Sequence, residues 1–187
     1  MKYMVPLTVV LFAALLYWKN RQKNDPSAQV QPHQNPYLSL RDMALHTPRE
    51  KLGIPPPPGK DAVWGSLMDW GVNNGTATVT AFGDGSASVY LSGGGGFIGG
   101  QGNESIRAAA KKVVAIANRD RSAAHPALSF PQPEKGQVIF YFRTDEGVLT
   151  ATASSEELQK HQNKLSELGD ATQQIITEYR KLQANSH

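Results

Sequence analysis

The sequence predicts an α+β fold: an antiparallel five-stranded sheet in the order β-β-β-α-β-β-α, helices packed on one face, and an N-terminal transmembrane helix ahead of them. Three observations predict it. An uncharged apolar run fills Met4 to Trp18. Thr76 to Phe82 and Ser86 to Ser92 alternate apolar with hydroxyl side chains; Asn74-Gly75 precedes the first and Gly83-Asp84-Gly85 joins the two. Ile106, Ala109, Ala110, Val113 and Ala117 then recur with helical period.

The apolar run, MVPLTVVLFAALLYW, has Thr8 as its one polar residue. At 1.5 Å per residue it reaches about 22 Å, short of a ~30 Å hydrocarbon core. Tyr3, Tyr17 and Trp18 suit the interfaces, and Lys2 and Lys19 extend the reach by snorkelling. A cleaved signal peptide has a run of similar length. No small-x-small site follows this one, however, and Tyr17-Trp18-Lys19 is bulky and charged. The run therefore reads as an uncleaved anchor in a lipid bilayer. Lys19, Arg21 and Lys23 outweigh Lys2, which places a single-pass membrane protein's domain in the cytoplasm.

The organisation that follows is an anchor over 1–19, a disordered tether over 20–36, short helices and a proline-rich connector over 37–61, and a globular domain over 62–187. The tether, NRQKNDPSAQVQPHQNP, is polar and aperiodic. Tyr37 to His46 forms a short helix. Thr47-Pro48-Arg49-Glu50 is a capping box with proline at the first helical position. Pro55 to Pro58 is an extended connector, with a docking motif for a proline-binding module as its alternative.

Val63 to Trp70 is the first strand. In the next two, Ala77, Val79, Ala81, Ala87, Val89 and Leu91 face a core, while the threonines and serines form a hydroxyl face. A helix runs from about Asn103 to Asp120. Ser122 to Gly136, with three prolines, is a loop. Gln137 to Arg143 and Val148 to Ala153 make a hairpin around Thr144-Asp145-Glu146-Gly147. Ser154 or Ser155 caps a last helical region with a break near Gly169. Its four-three spacing from Leu158 to Leu182 fits either a coiled coil or packing on the sheet, and packing is the better reading.

Nine of seventeen glycines lie between Gly83 and Gly102. Gly94, Gly96 and Gly99 satisfy G-x-G-x-x-G after a strand, Asn103 opens the following helix, and Asp120 lies where a ribose ligand is sought. Locally GGGGFIG resembles the phosphate loop of short-chain dehydrogenases. A nucleotide or anion site over 93–103 is thus the alternative function. Against it, Gly99, Gly100 and Gly102 delay the helix; Asp120 would have to end a second strand over Val113 to Asn118, yet no turn residue separates that run from Ala108 to Lys112; and the hairpin before the loop signals antiparallel pairing.

The chain has 187 residues, 19 basic and 16 acidic, for a net charge of +3. Lys2, Lys19, Arg21 and Lys23 flank the apolar run, so the remainder carries 15 basic against 16 acidic residues and is nearly neutral. That weighs against nucleic-acid binding. No cysteine is present, which excludes disulfides, thiolate metal sites and cysteine nucleophiles. The histidines at 33, 46, 125, 161 and 187 show no metal-ligand spacing. There is no G-x-S-x-G elbow and no phosphate loop ending in Lys-Ser/Thr. No catalytic residue, metal or cofactor is expected, and an enzyme is the lesser reading. Arg107, Lys111, Lys112, Arg119 and Arg121 on the long helix form either a docking patch or, more simply, a solvated face. VWGSLMDW, TATVTAFGDGSASVYLS and IRAAAKKVV resemble an uncharacterised family of bacterial proteins with no assigned activity, over residues 60 to 120. The resemblance implies no functional residue. The function predicted is a membrane-tethered, non-enzymatic protein-interaction domain.

Overall fold

The computed structural model describes residues 36–184. Its strands are β1 (Gly65–Val72), β2 (Gly75–Phe82), β3 (Ala87–Leu91), β4 (Gly96–Phe97), β5 (His125–Pro126), β6 (Gln137–Thr144) and β7 (Gly147–Ser154). Its helices are α1 (Pro36–His46), α2 (Glu104–Asp120), α3 (Ser155–Gln159) and α4 (Ser166–Ala184). The sheet order is β4-β3-β2-β1-β6-β7-β5, with every pair antiparallel.

The turns form where their residues demand them. Phe82 N donates to Ser86 O at 2.9 Å across the Gly-Asp-Gly turn, and Asp84 Oδ1 accepts from Ser86 N at 2.8 Å. Thr144 Oγ1 donates to Gly147 O at 2.9 Å and closes the second hairpin.

Period-two alternation gives the sheet two different faces. The first carries Met68, Val79, Ala81, Val89, Phe140 and Phe142, and packs under Ile106, Ala110 and Val113 of α2 and Leu168 and Ile175 of α4. Alanines on both sides allow close approach. Each fully buried Phe, Ile or Leu here contributes about 1.5–3 kcal/mol. Tyr37, Ala44 and Leu45 of α1 pack with Trp64, Leu67, Phe82, Ile139 and Tyr141 in a separate cluster on the other face.

The expected fold class needs three corrections. The sheet has seven strands, not five. The additional two are two-residue edge pairings: Gly96↔Tyr90 and Phe97↔Val89, and His125↔Thr150 and Pro126↔Leu149. Both arise inside a glycine run or a proline loop, where no alternation can develop. Next, the helices do not share one face, because α1 buries the hydroxyl face of the sheet. Thr76, Thr78, Thr80 and Ser88 are buried, not solvated. Lastly, no helix among the described residues is long and apolar enough to cross a membrane. The expected transmembrane segment, Met4 to Trp18, lies outside the described residues, as does most of the tether.

Smaller differences have local causes. β1 extends to Val72 because Gly71 and Val72 pair with Thr76 and Gly75. Thr47 caps nothing: Arg49–Leu52 is a 3-10 turn without a side-chain cap. The C-terminal break falls between Gln159 and Ser166, and Gly169 lies inside α4. Of the expected heptad positions, Leu158, Leu165, Leu168, Thr172, Ile175 and Tyr179 are buried within the fold.

Candidate functional site

The glycine loop closes the β3 edge of the sheet. Gly96 has φ +147, and a Cβ there would meet Val89 O at 2.1 Å, so only glycine allows β4 to approach β3. Gly94 and Gly99 also have positive φ but face open space. The loop is fastened to α4. Phe97 stacks on Tyr179 with centroids 4.7 Å apart, Gly100 N donates to Tyr179 Oη at 2.9 Å, and that hydroxyl donates to Ala87 O at 2.7 Å. Unpaired groups on β3 are thereby covered.

Asn103 is the N-cap of α2. Its Oδ1 accepts from Ser105 N at 3.0 Å and Ile106 N at 3.2 Å, the donors an anion at this helix start would need. Asp120 ends the 17-residue helix, roughly 25 Å along its axis from the loop. Gly94, Gly96, Gly99 and Asn103 thus lie together in one connection, away from Asp120, beside a strand with no parallel neighbour.

The basic residues of α2 are partly committed. Arg119 pairs with Asp120 and Glu167, Arg121 with Asp61, and Arg107 donates to Gln101 O at 2.9 Å. No cluster of three or more potential metal ligands occurs among the described residues.

The densest polar chemistry lies elsewhere, between α1 and the sheet. Asp69 on β1 is fully buried and faces Arg41 of α1, with Nη2 at 2.6 Å and Nε at 2.7 Å from Oδ2. Thr78 Oγ1 donates to Asp69 Oδ1 at 2.5 Å. Having spent its proton there, Thr78 accepts from Tyr37 Oη at 2.9 Å. Arg41 also donates to Phe130 O at 3.1 Å, Pro131 O at 3.0 Å and Tyr141 Oη at 3.4 Å. Burial pushes the Asp69 carboxyl above the ordinary carboxylate range, against the opposing pull of Arg41 and Thr78. Burial likewise raises the Tyr37 and Tyr141 phenols.

A second arginine makes the reciprocal contact. Arg143 of β6 reaches up to the C-terminal end of α1, donating to Ala44 O at 2.6 Å and Thr47 O at 2.9 Å. Its guanidinium lies 4.3 Å from the Trp64 ring centroid. Burial lowers its pKa to about 10. The helix-end carbonyls supply the negative charge it faces.

Beside this network lies a groove of about 740 Å³. Ile139, Tyr141, Thr150 and Thr152 of β6 and β7 form its floor. Pro131, Glu134 and Leu128 stand in its wall, with Leu128 98% exposed. It is an open groove rather than an enclosed cavity. β5 pairs with β7 only at Leu149 and Thr150, so among the described residues no strand covers the outer edge of β7 from Ala151 onward. Glu134 and His125 are its ionisable rim groups, with the Tyr141 hydroxyl on its floor.

Sequence reasoning passed over Arg41, Asp69 and the groove. One signal was present: Asp69 is the lone charge in the strand VWGSLMDW. A carboxylate in a buried strand demands a cation or a donor set. The groove left no signal, since a proline loop 126–136 gives no period. Comparison of the chain with family models, curated proteins and solved structures finds no match.

Proposed function

We propose that this chain is a non-enzymatic binding domain held at a lipid bilayer by Met4 to Trp18, with its folded part on the cytoplasmic side. Its ligand is an uncharged protein segment in extended conformation, seated in the groove on β6 and β7. The observation that carries this reading is the groove itself. Its lining is mostly hydroxyl, amide, proline and aliphatic, with Glu134 and His125 as its ionisable groups. An anionic ligand would lose hydration there without gaining a fixed counter-ion, and a cationic one would meet Glu134 alone. An extended backbone, by contrast, matches a strand floor and the uncovered β7 edge. The buried ionisable groups nearby, Arg41, Asp69 and Arg143, are engaged in holding α1, which favours a binding role over a catalytic one for them. Met4 to Trp18 supports the bilayer assignment through its composition alone.

Selection from a random displayed-peptide library on the full chain in nanodiscs tests this. Neutral peptides should be enriched and should lose binding to Thr152→Arg and Leu128→Asp variants, but not to Lys112→Glu. Absence of enrichment, or peptides indifferent to the groove substitutions, would refute it.

A further inference from the structure

Helix α1 and the groove wall are held by the same side chain. The wall is pinned at one end by Ala127 N to Val148 O at 2.9 Å and at the other by Glu134 N to Gln137 Oε1 at 3.0 Å. Between these points its hydrogen bonds come from Arg41, to Phe130 O and Pro131 O, and from Tyr141, to Pro131 O at 3.1 Å. Phe130 sits between the His46 ring at 4.9 Å and the Tyr141 ring at 5.5 Å. Removing α1 removes Arg41 and His46 from the wall in one step.

The surface beneath α1 is suited to water as well as to a helix. Thr76, Thr78 and Thr80 are all hydroxyl side chains, and Thr78 bonds Tyr37 of α1 directly. Trp64 Nε1 and Thr80 Oγ1 are buried without a partner while α1 is docked. Water would satisfy both once the helix lifts, which offsets part of the apolar burial lost with Tyr37, Ala44 and Leu45. Arg143, whose acceptors are carbonyls of α1 and the residue after it, would regain hydration at the same moment.

We propose that α1 is a releasable latch that sets the shape of the groove. Docked, its Arg41 fixes the Phe130–Pro131 wall over β6. Released, the wall loses these donors and the groove opens. Whatever occupies the groove is therefore linked to α1: a ligand that fits the fixed wall favours docking, and one that needs a wider groove favours release. The inference stands on the shared contacts and does not depend on the ligand argued above.

The cysteine-free chain allows a single spin label to report the wall. Labels at Gln132→Cys, on the wall, and Lys112→Cys, on α2, are compared in the full chain in nanodiscs. Each is measured with native Arg41 and with Arg41→Lys, which keeps a cation for Asp69 but loses the planar fork that reaches the carbonyls. The latch predicts a several-fold faster label at 132 in the Arg41→Lys chain and no change at 112. Loosening at both positions, or at neither, overturns it. Native-state amide exchange of the unsubstituted chain gives a second measure that needs no variant. Amides of α1 should open as a group, below the opening free energy of β1 and β2. Opening of α1 only together with the whole sheet overturns the proposal.

Discussion

Arg41 and Asp69 are the residues on which the second face of the sheet depends. The pair is buried and hydrogen-bonded on every side, so its net contribution to stability is modest. Losing one partner is a different matter, because the other is left charged or protonated without its donor set. Arg41→Ala should lower the unfolding free energy by about 3–5 kcal/mol in denaturant titration. Thr80 offers the opposite case. Its hydroxyl is buried and unpaired. Removing an unsatisfied group recovers its desolvation cost, so Thr80→Val should be neutral or stabilise by up to about 1 kcal/mol. These residues also show where the sequence stops being legible. Thr76, Thr78 and Thr80 have the alternation of a half-solvated strand, and that alternation is correctly placed. What covers them is a helix about 40 residues earlier, fixed by Tyr37 and Arg41. No local pattern carries a contact at that separation, and hydroxyls buried with partners read the same as hydroxyls in water.

Elements with their own punctuation were legible. The Asn-Gly and Gly-Asp-Gly hairpins, the apolar stripe of α2 and the Ser154 cap all appear where their residues put them. Ser154 forms a complete capping box with Glu157, and the Ser154 backbone N–H holds the Glu157 carboxyl below the usual range. Ser154→Ala should cost about 0.5–2 kcal/mol. Gly169 misled because glycine so often ends a helix. Here it lies inside α4, and an added Cβ would meet Leu158 Cδ1 at an ordinary 3.5 Å. Gly169→Ala should therefore stabilise by about 0.5–1 kcal/mol in the same titration. Strands β4 and β5 were hidden for a different reason: two residues are too few to show a period.

For the molecule as a whole, the sheet separates two regions with different chemistry. At one edge, the glycine loop is closed against α4, and its helix-start donors are taken by Asn103. Millimolar NAD or ATP should accordingly leave the thermal midpoint of the full chain unchanged. Toward the other edge, the groove lies open beside a wall held from α1. The most direct test is an amide chemical-shift map of the isotope-labelled full chain in nanodiscs, titrated with a peptide selected on it. Binding in the groove predicts perturbed amides in β6, β7 and residues 125–136, with α1 following. Perturbations confined to residues 93–103 would contradict it and assign the binding to the glycine loop.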